Sequence, residues 1–362
     1  MKVSFLSILV LLLAFTSLSA QEGNQPEGAL VVSTDKDQTF LIKPDGGIIR
    51  KLADFGSNSI AWSPDGCYIA LGVWSSRVNL YDLFVVKYDG SDLRNLTNQN
   101  QRVVYSGIQW SPDGTMIAFT RFDNLNSDVY VIRSDGGNLT NLTNSQSKNW
   151  SPTWSPDGKQ LAFESNRDGN WEIYVVDIDG KNLQNLTNDN ANDRYPSRSP
   201  FDPLIAFISD RSGEDALYLM DPDGQNAKLL FQLQDIEAEY TLPLWSPDGS
   251  KILLLLYWAP ITFIYVIDCA SQDAQNLAEG WFSDYGLQWS PDGQYIAFRR
   301  QAIGPGDELK MNTNGIYTMR SDGTELTRIN TWYGILAWGM PPSDFAVDIS
   351  RKLKTSWGKI KR

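Results

Sequence analysis

One pentapeptide constrains this chain more than any other feature. Trp-Ser-Pro-Asp-Gly occurs intact at Trp62, Trp110, Trp154, Trp245 and Trp289. A worn copy begins at Arg198 and a more distant one at Trp338, and successive copies lie 44 to 49 residues apart. A repeat of this period means an array or ring of small units. The pentapeptide is itself a turn: Pro presets φ, Asp tolerates the next position, and Gly takes the positive φ that closes the hairpin. Strand-like residues flank it, such as Ser106-Gly107-Ile108-Gln109 before one copy and Lys159-Gln160-Leu161-Ala162-Phe163 after another. Each copy therefore joins a first strand to a second, and the recurring Trp is expected to pack between neighbouring units.

A second repeat interleaves with the first. Its clearest copy is Ile173-Tyr174-Val175-Val176, then Asp179-Gly180, then Leu186-Thr187; others begin at Thr39, Leu83, Val129, Leu217, Ile264 and Ile316. This reads as a third strand, an Asp-Gly hairpin and a fourth strand. Four short antiparallel strands per unit make the blade of an all-β propeller. Six full units are present, residues 29–55 match the back of a unit, and residues 334–347 match a front. The expectation is seven blades, closed by the N- and C-terminal strands so that no sheet edge is left free. Both ends offer a second strand, Leu30-Val31-Val32 and Phe345-Ala346-Val347, so six blades with an extra strand pair is the alternative.

Composition narrows the chemistry. The chain of 362 residues has no His, which removes Ser-His-Asp and Cys-His catalysis and the commonest zinc and iron sites. A formal charge of −12 disfavours nucleic acid and anionic lipid. No metal or other cofactor is expected; the run Asn188-Asp189-Asn190 with Asn192-Asp193 lacks a recognised calcium spacing. Cys67 and Cys269 fall on blades that are not neighbours, so two separate, mostly buried thiols are expected. Residues 1–20 read as a signal peptide, 21–28 as a linker, 29–348 as the propeller and 349–362 as a basic tail. The tail is read as solvated, with a tether to an anionic surface or to the protein's own acidic face as the sharper alternative. The expected localisation is secreted or periplasmic, with no transmembrane segment after cleavage, and the expected state is a monomer.

The combination of Trp-Ser-Pro-Asp-Gly, a following Leu-Ala-Phe, Ile-Tyr-Val-Val, Asp-Gly and Asn-Leu-Thr resembles the TolB-type β-propeller repeat over residues 29–348. Asn95-Leu96-Thr97, Asn141-Leu142-Thr143 and Asn185-Leu186-Thr187 are the matching last-strand ends. The resemblance implies an exported bacterial protein that binds other proteins through one mouth of the ring. A fold of this kind serves many activities, so the resemblance speaks for architecture more than for function.

The blade-to-blade connections ring one mouth of such a channel, and they carry aromatics three to five positions before the Trp register. Tyr105, Trp150, Tyr195, Tyr240, Tyr285 and Tyr333 occupy these places, and Trp281, Phe282 and Trp332 add to the rim. Aromatic rings with a polar edge suit peptide or sugar recognition. Packing of each ring on the next blade is the competing reading. Asp193, Asp235, Glu237, Glu239 and Asp284 fall in the same connections. The expected function is a non-catalytic scaffold binding a protein or peptide at this mouth. The alternative is a carbohydrate-active enzyme of glycosidase type that uses a pair of rim carboxylates on a polysaccharide.

Overall fold

Each pentapeptide turn is built as its chemistry demands. In the first copy the Gly66 N–H donates to the Ser63 carbonyl at 2.9 Å, with Gly66 at φ 67°. The Asp65 carboxylate accepts from Ser63 Oγ at 2.5 Å and from the Cys67 N–H at 2.9 Å, and Ser63 Oγ accepts from the Tyr68 N–H at 2.8 Å. The Ser and Asp side chains of the motif are thus spent inside the turn, which is why these residues recur as a block. The Trp does a separate job. Trp62, Trp110, Trp154, Trp245 and Trp289 each donate the indole N–H to a first-strand carbonyl of the preceding blade, at 3.0–3.4 Å. In these five blades one residue therefore ties each sheet to its neighbour.

The computed structural model describes residues 27–342 apart from 35–36, 74–80, 99–102, 123–125, 234–237, 279–281, 304–313 and 332–335. Every regular element among them is a strand, and the strands form seven antiparallel sheets. Blade 1 holds Ser59–Trp62, Tyr68–Gly72, Leu83–Lys87 and Arg94–Asn95. Blade 2 holds Val104–Trp110, Met116–Phe122, Ser127–Arg133 and Thr140–Asn141; blade 3 holds Asn149–Trp154, Gln160–Ser165, Glu172–Asp177 and Gln184–Asn185. Blade 4 holds Asp193–Arg198, Ile205–Ser209, Ala216–Met220 and Lys228–Phe231. In blade 5 the first strand is split into Glu239–Tyr240 and Leu244–Trp245, followed by Lys251–Trp258, Ile261–Asp268 and Ala274–Asn276. Blade 6 holds Phe282–Trp289, Tyr295–Ala302, Gly315–Arg320 and Thr327–Asn330.

Blade 7 closes the ring from both ends of the chain. Leu336–Gly339 is its first strand and pairs antiparallel with Ala29–Thr34, which leads on to Gln38–Ile42 and Ile48–Ala53. The fold is a seven-bladed β-propeller. The second strand of the closing blade is Ala29–Thr34, which settles the surplus copy; Phe345-Ala346-Val347 lies outside the described residues. Close approach holds the seam: a Cβ on Gly339 would stand 2.3 Å from the Trp62 ring.

The Asn-Leu-Thr ends are structural. Asn95, Asn141 and Asn185 each accept through Oδ1 from the backbone N–H groups two and three residues on. Thr97, Thr143 and Thr187 donate to Asp82, Asp128 and Glu172 near the start of the third strand. Within four sheets, a second-strand Phe faces the third-strand Tyr paired with it: Phe119–Tyr130, Phe163–Tyr174, Phe207–Tyr218 and Phe298–Tyr317, with centroids 5.8–6.0 Å apart. The worn copy in blade 4 puts Arg198 where Trp would stand. Its Nε and Nη2 are buried without an acceptor, so the substitution costs the interlock one indole bond and leaves two orphan donors.

Candidate functional site

In blades 2, 3, 4 and 6 the first strand is bent on its approach to the mouth by a bulge three residues before the Trp register. Gly107, Ser151, Tyr195 and Gly286 occupy this place at φ 59°, 54°, 55° and 64°, and the pairing register shifts there. A bulge re-aims the side chains around it. Glycine takes the left-handed backbone without cost in two of these strands; Ser151 and Tyr195 do so as exceptions.

The bulge sorts the rim residues by position. Five residues before the register the side chain is buried in every described blade: Tyr105, Asn149, Asp193 and Asp284 at 0%, Tyr240 at 3%. At four and three residues before it, Trp150 and Tyr195 are half-buried, and Tyr285 is 42% exposed. The Tyr240 hydroxyl turns to the end of the preceding blade, accepting from the Leu233 N–H at 2.8 Å. Trp150 packs against Phe122 and Trp171, with centroids 6.0 and 4.6 Å away. Trp281, Trp332 and Tyr333 lie outside the described residues.

The rim acids differ from their sequence reading. Asp284 is held by Arg300 through two contacts of 2.8 and 2.7 Å, and Asp193 by Arg211 through two of 3.0 Å. Arg211 lies over Phe207 and Tyr218, and Arg300 over Phe298 and Tyr317, at 5.0–5.6 Å. Asp193 ties its first strand to the 2–3 loop of blade 4 and Asp284 ties its own to the paired second strand of blade 6; both are sealed from solvent, so they are not free acids of the mouth. Asn149 takes the same place in blade 3, accepting from Arg167 at 2.8 Å. Glu239 is exposed, and Asp235 and Glu237 lie outside the described residues.

Three of the sequence-predicted aromatics, Tyr195, Tyr240 and Tyr285, line one hollow of about 580 Å³ between blades 4, 5 and 6. Arg194, Asp215 and Glu239 supply its charge, and Thr241, Thr262, Leu255 and Tyr257 complete the wall. Arg194 and Asp215 are paired to each other at 2.7 and 3.0 Å. Burial holds the Asp215 carboxyl above the usual carboxylate range, against the pull of Arg194. Burial also raises the Tyr195 phenol, with the Glu164 and Glu239 charges adding to it. Tyr257 was not singled out in sequence. It is the penultimate residue of an eight-residue strand whose pairing continues to Trp258↔Ile261, a long hairpin that carries Tyr257 and Trp258 out at the mouth. Of the four exposed aromatics among the described residues, Tyr257, Trp258 and Tyr285 belong to this region, and only Phe201 does not.

Beside the hollow, Glu164 is 1% exposed. Burial pushes its carboxyl up to about 7, although Ser151 Oγ donates to it at 2.6 Å and the Tyr195 N–H at 3.3 Å. A further hollow of about 450 Å³ lies on the turn face between blades 1 and 2. Its Asp65, Asp113 and Asp135 carboxylates accept N–H groups of their own turns, so they are engaged in holding the hairpins. Among the described residues no group of three or more His, Cys, Asp or Glu is placed to hold a metal ion, and no helix is long and apolar enough to cross a membrane.

Seven closed blades with one aromatic-lined hollow at a mouth define a β-propeller scaffold. The sequence profile of the TolB beta propeller domain matches residues 67–253, more than half of the chain, and the chain belongs to that family. Solved structures of similar fold include TolB from Acinetobacter baumannii, at 20% identity and TM-score 0.55 over 87% of this chain and 67% of that one. An oligogalacturonate lyase from Vibrio parahaemolyticus is similar at 14% identity and TM-score 0.57, over 83% and 86%. A puromycin-hydrolyzing peptidase from Mycobacterium tuberculosis is similar at 17% identity and TM-score 0.59, over 83% of this chain and 53% of that one. At these identities the likeness is one of fold. No curated protein matches the chain significantly.

Proposed function

We propose that the protein is an exported propeller scaffold that binds a protein or peptide partner at the mouth formed by the 2–3 loops and blade connections. The carrying observation is the hollow of about 580 Å³ walled by Tyr195, Tyr240, Tyr257 and Tyr285, beside the exposed Trp258. Clustered exposed aromatics around a concavity are the usual make-up of a binding hot spot. The strands beneath are fixed by sheet packing, so the mouth is the part free to specialise. Export rests on the N-terminal pattern of Lys2 followed by an apolar run to Phe15 and Leu18-Ser19-Ala20.

The glycosidase reading loses support from the acids. Two of its five carboxylates, Asp193 and Asp284, are bound by arginine and buried, and a glycosidase needs two groups facing one substrate. The test uses the purified chain as bait against a cell-envelope extract, compared with the Tyr257→Ala, Tyr285→Ala double variant. Capture that disappears in the variant while the melting temperature holds supports the proposal. Capture that is unchanged, or turnover of a polysaccharide panel by the wild type, overturns it.

A further inference from the structure

We infer that the hollow between blades 4, 5 and 6 is a receptor for a basic side chain, a lysine or arginine presented by the partner segment. The inference rests on the binding function proposed above and names the chemistry recognised. The protein already shows how it holds a guanidinium. Arg211 lies over two rings, Phe207 and Tyr218, with its head on the Asp193 carboxylate; Arg300 lies over Phe298 and Tyr317 with its head on Asp284. Stacked aromatic faces and a carboxylate make the set in both cases, with Asp189 a second carboxylate on Arg211 and Phe282 a third ring under Arg300, as the ring quadrupole and the charge pair together favour a cation.

The hollow offers the same set with its occupant's place open to the outside. Tyr195 and Tyr257 are the rings, and Glu239 is the carboxylate. The charges in the wall are divided unequally. Arg194 gives Asp215 two contacts from Nη2 while its buried Nε stays without an acceptor, whereas Glu239 is exposed and has no ion-pair partner among the described residues. Tyr285 already carries Arg299, 5.8 Å from its ring centroid, so it is a wall and not a further seat for the incoming cation. An anion would meet Glu239 and the Asp215 edge, and the one cation of the described lining, Arg194, already turns its Nη2 to Asp215. A neutral sugar would leave the Glu239 charge unused. The net charge of −12 also draws basic segments toward the molecule at long range.

The experiment selects binders from a random peptide library displayed on phage, against the full chain at physiological salt. The best selected peptide is then made with a fluorescein label and titrated by anisotropy. The expected selection is rich in Lys or Arg at one position. Replacing that residue by norleucine, or changing Glu239→Gln or Tyr257→Ala in the protein, weakens binding by about tenfold each. The melting temperature of both variants stays at the wild-type value, since Glu239 and Tyr257 are exposed. A Glu239→Lys variant is expected to reject the same peptide. Peptides that need Tyr257 and Tyr285 but carry no basic residue, or that bind Glu239→Gln unchanged, overturn the basic-ligand inference and leave the binding face standing. Peptides indifferent to both tyrosines, or no selection at all, overturn the two together.

Discussion

Glu164 gives the sharpest quantitative test of the mouth's geometry. It sits on the second strand of blade 3, 1% exposed, with the Ser151 hydroxyl and the Tyr195 amide as its donors. Both donors come from the left-handed bulge residues of adjacent first strands, so the carboxyl bridges two blades. Burial raises its pKa from 4.5 to about 7. Between those values the native state holds a proton that the unfolded chain has lost, so stability falls as pH rises through the window. Below about pH 4.5 both states are protonated and the contribution is complete; above about pH 7 it is gone. The difference of the two values corresponds to on the order of 3 kcal/mol. Glu164→Gln keeps the shape and cannot ionise. Urea unfolding of both proteins at pH 5 and pH 8.5 isolates the effect, because all other titrating groups cancel in the difference. The variant is expected to match the wild type within about 1 kcal/mol at pH 5 and to exceed it by about 3 kcal/mol at pH 8.5. A wild-type-minus-variant difference that does not change with pH would refute the burial of an unionised carboxyl here.

Three further outcomes follow from the same contacts. Arg300→Met leaves Asp284 buried without its cation and is expected to cost about 3–5 kcal/mol in urea unfolding, much of it recovered when Asp284→Asn is added. Trp338→Ala removes a buried ring from the closing strand and is expected to cost about 3–5 kcal/mol, as much as Trp110→Ala inside the ring. If it costs almost nothing, the closure between Leu336–Gly339 and Ala29–Thr34 is wrong. Both thiols are free and half-buried, and burial pushes Cys269 up to about 11 while Cys67 rises less markedly. N-ethylmaleimide at pH 8 is therefore expected to mark Cys67 first, and intact mass to show the second adduct only on unfolding.

Blade count and closure were readable in the chain because the turn motif spends its Ser and Asp side chains locally. Ser63, Asp65 and Gly66 depend on no distant residue, so the motif survives as a string. The Asn-Leu-Thr ends are legible for the same reason. The mouth was less legible, because the sequence gives distance from the register and not the side of the strand. Tyr105 and Tyr240, five residues before it, turn inward, while Tyr285, four before it, turns outward. Strand alternation would separate these positions, but the bulge at Gly107, Tyr195 and Gly286 shifts the phase. Asp193 and Asp284 looked like free rim acids because their arginines lie 18 and 16 residues on, beyond the pentapeptide turn on or just past the second strand. Tyr257 carried no register mark; it reaches the mouth only because its hairpin is long.

The claim that the partner engages the 2–3 loop mouth is tested most directly by a photo-crosslinker placed on each face of the ring. Benzoylphenylalanine is introduced at Tyr257 in one protein and at Phe201, the exposed aromatic of the blade 4 pentapeptide turn, in another. Irradiation in an envelope extract, followed by mass spectrometry, reads which face touches a partner. The account predicts a defined adduct from position 257, competed away by excess unlabelled protein, and none from position 201. An adduct from position 201 with none from 257 would contradict it.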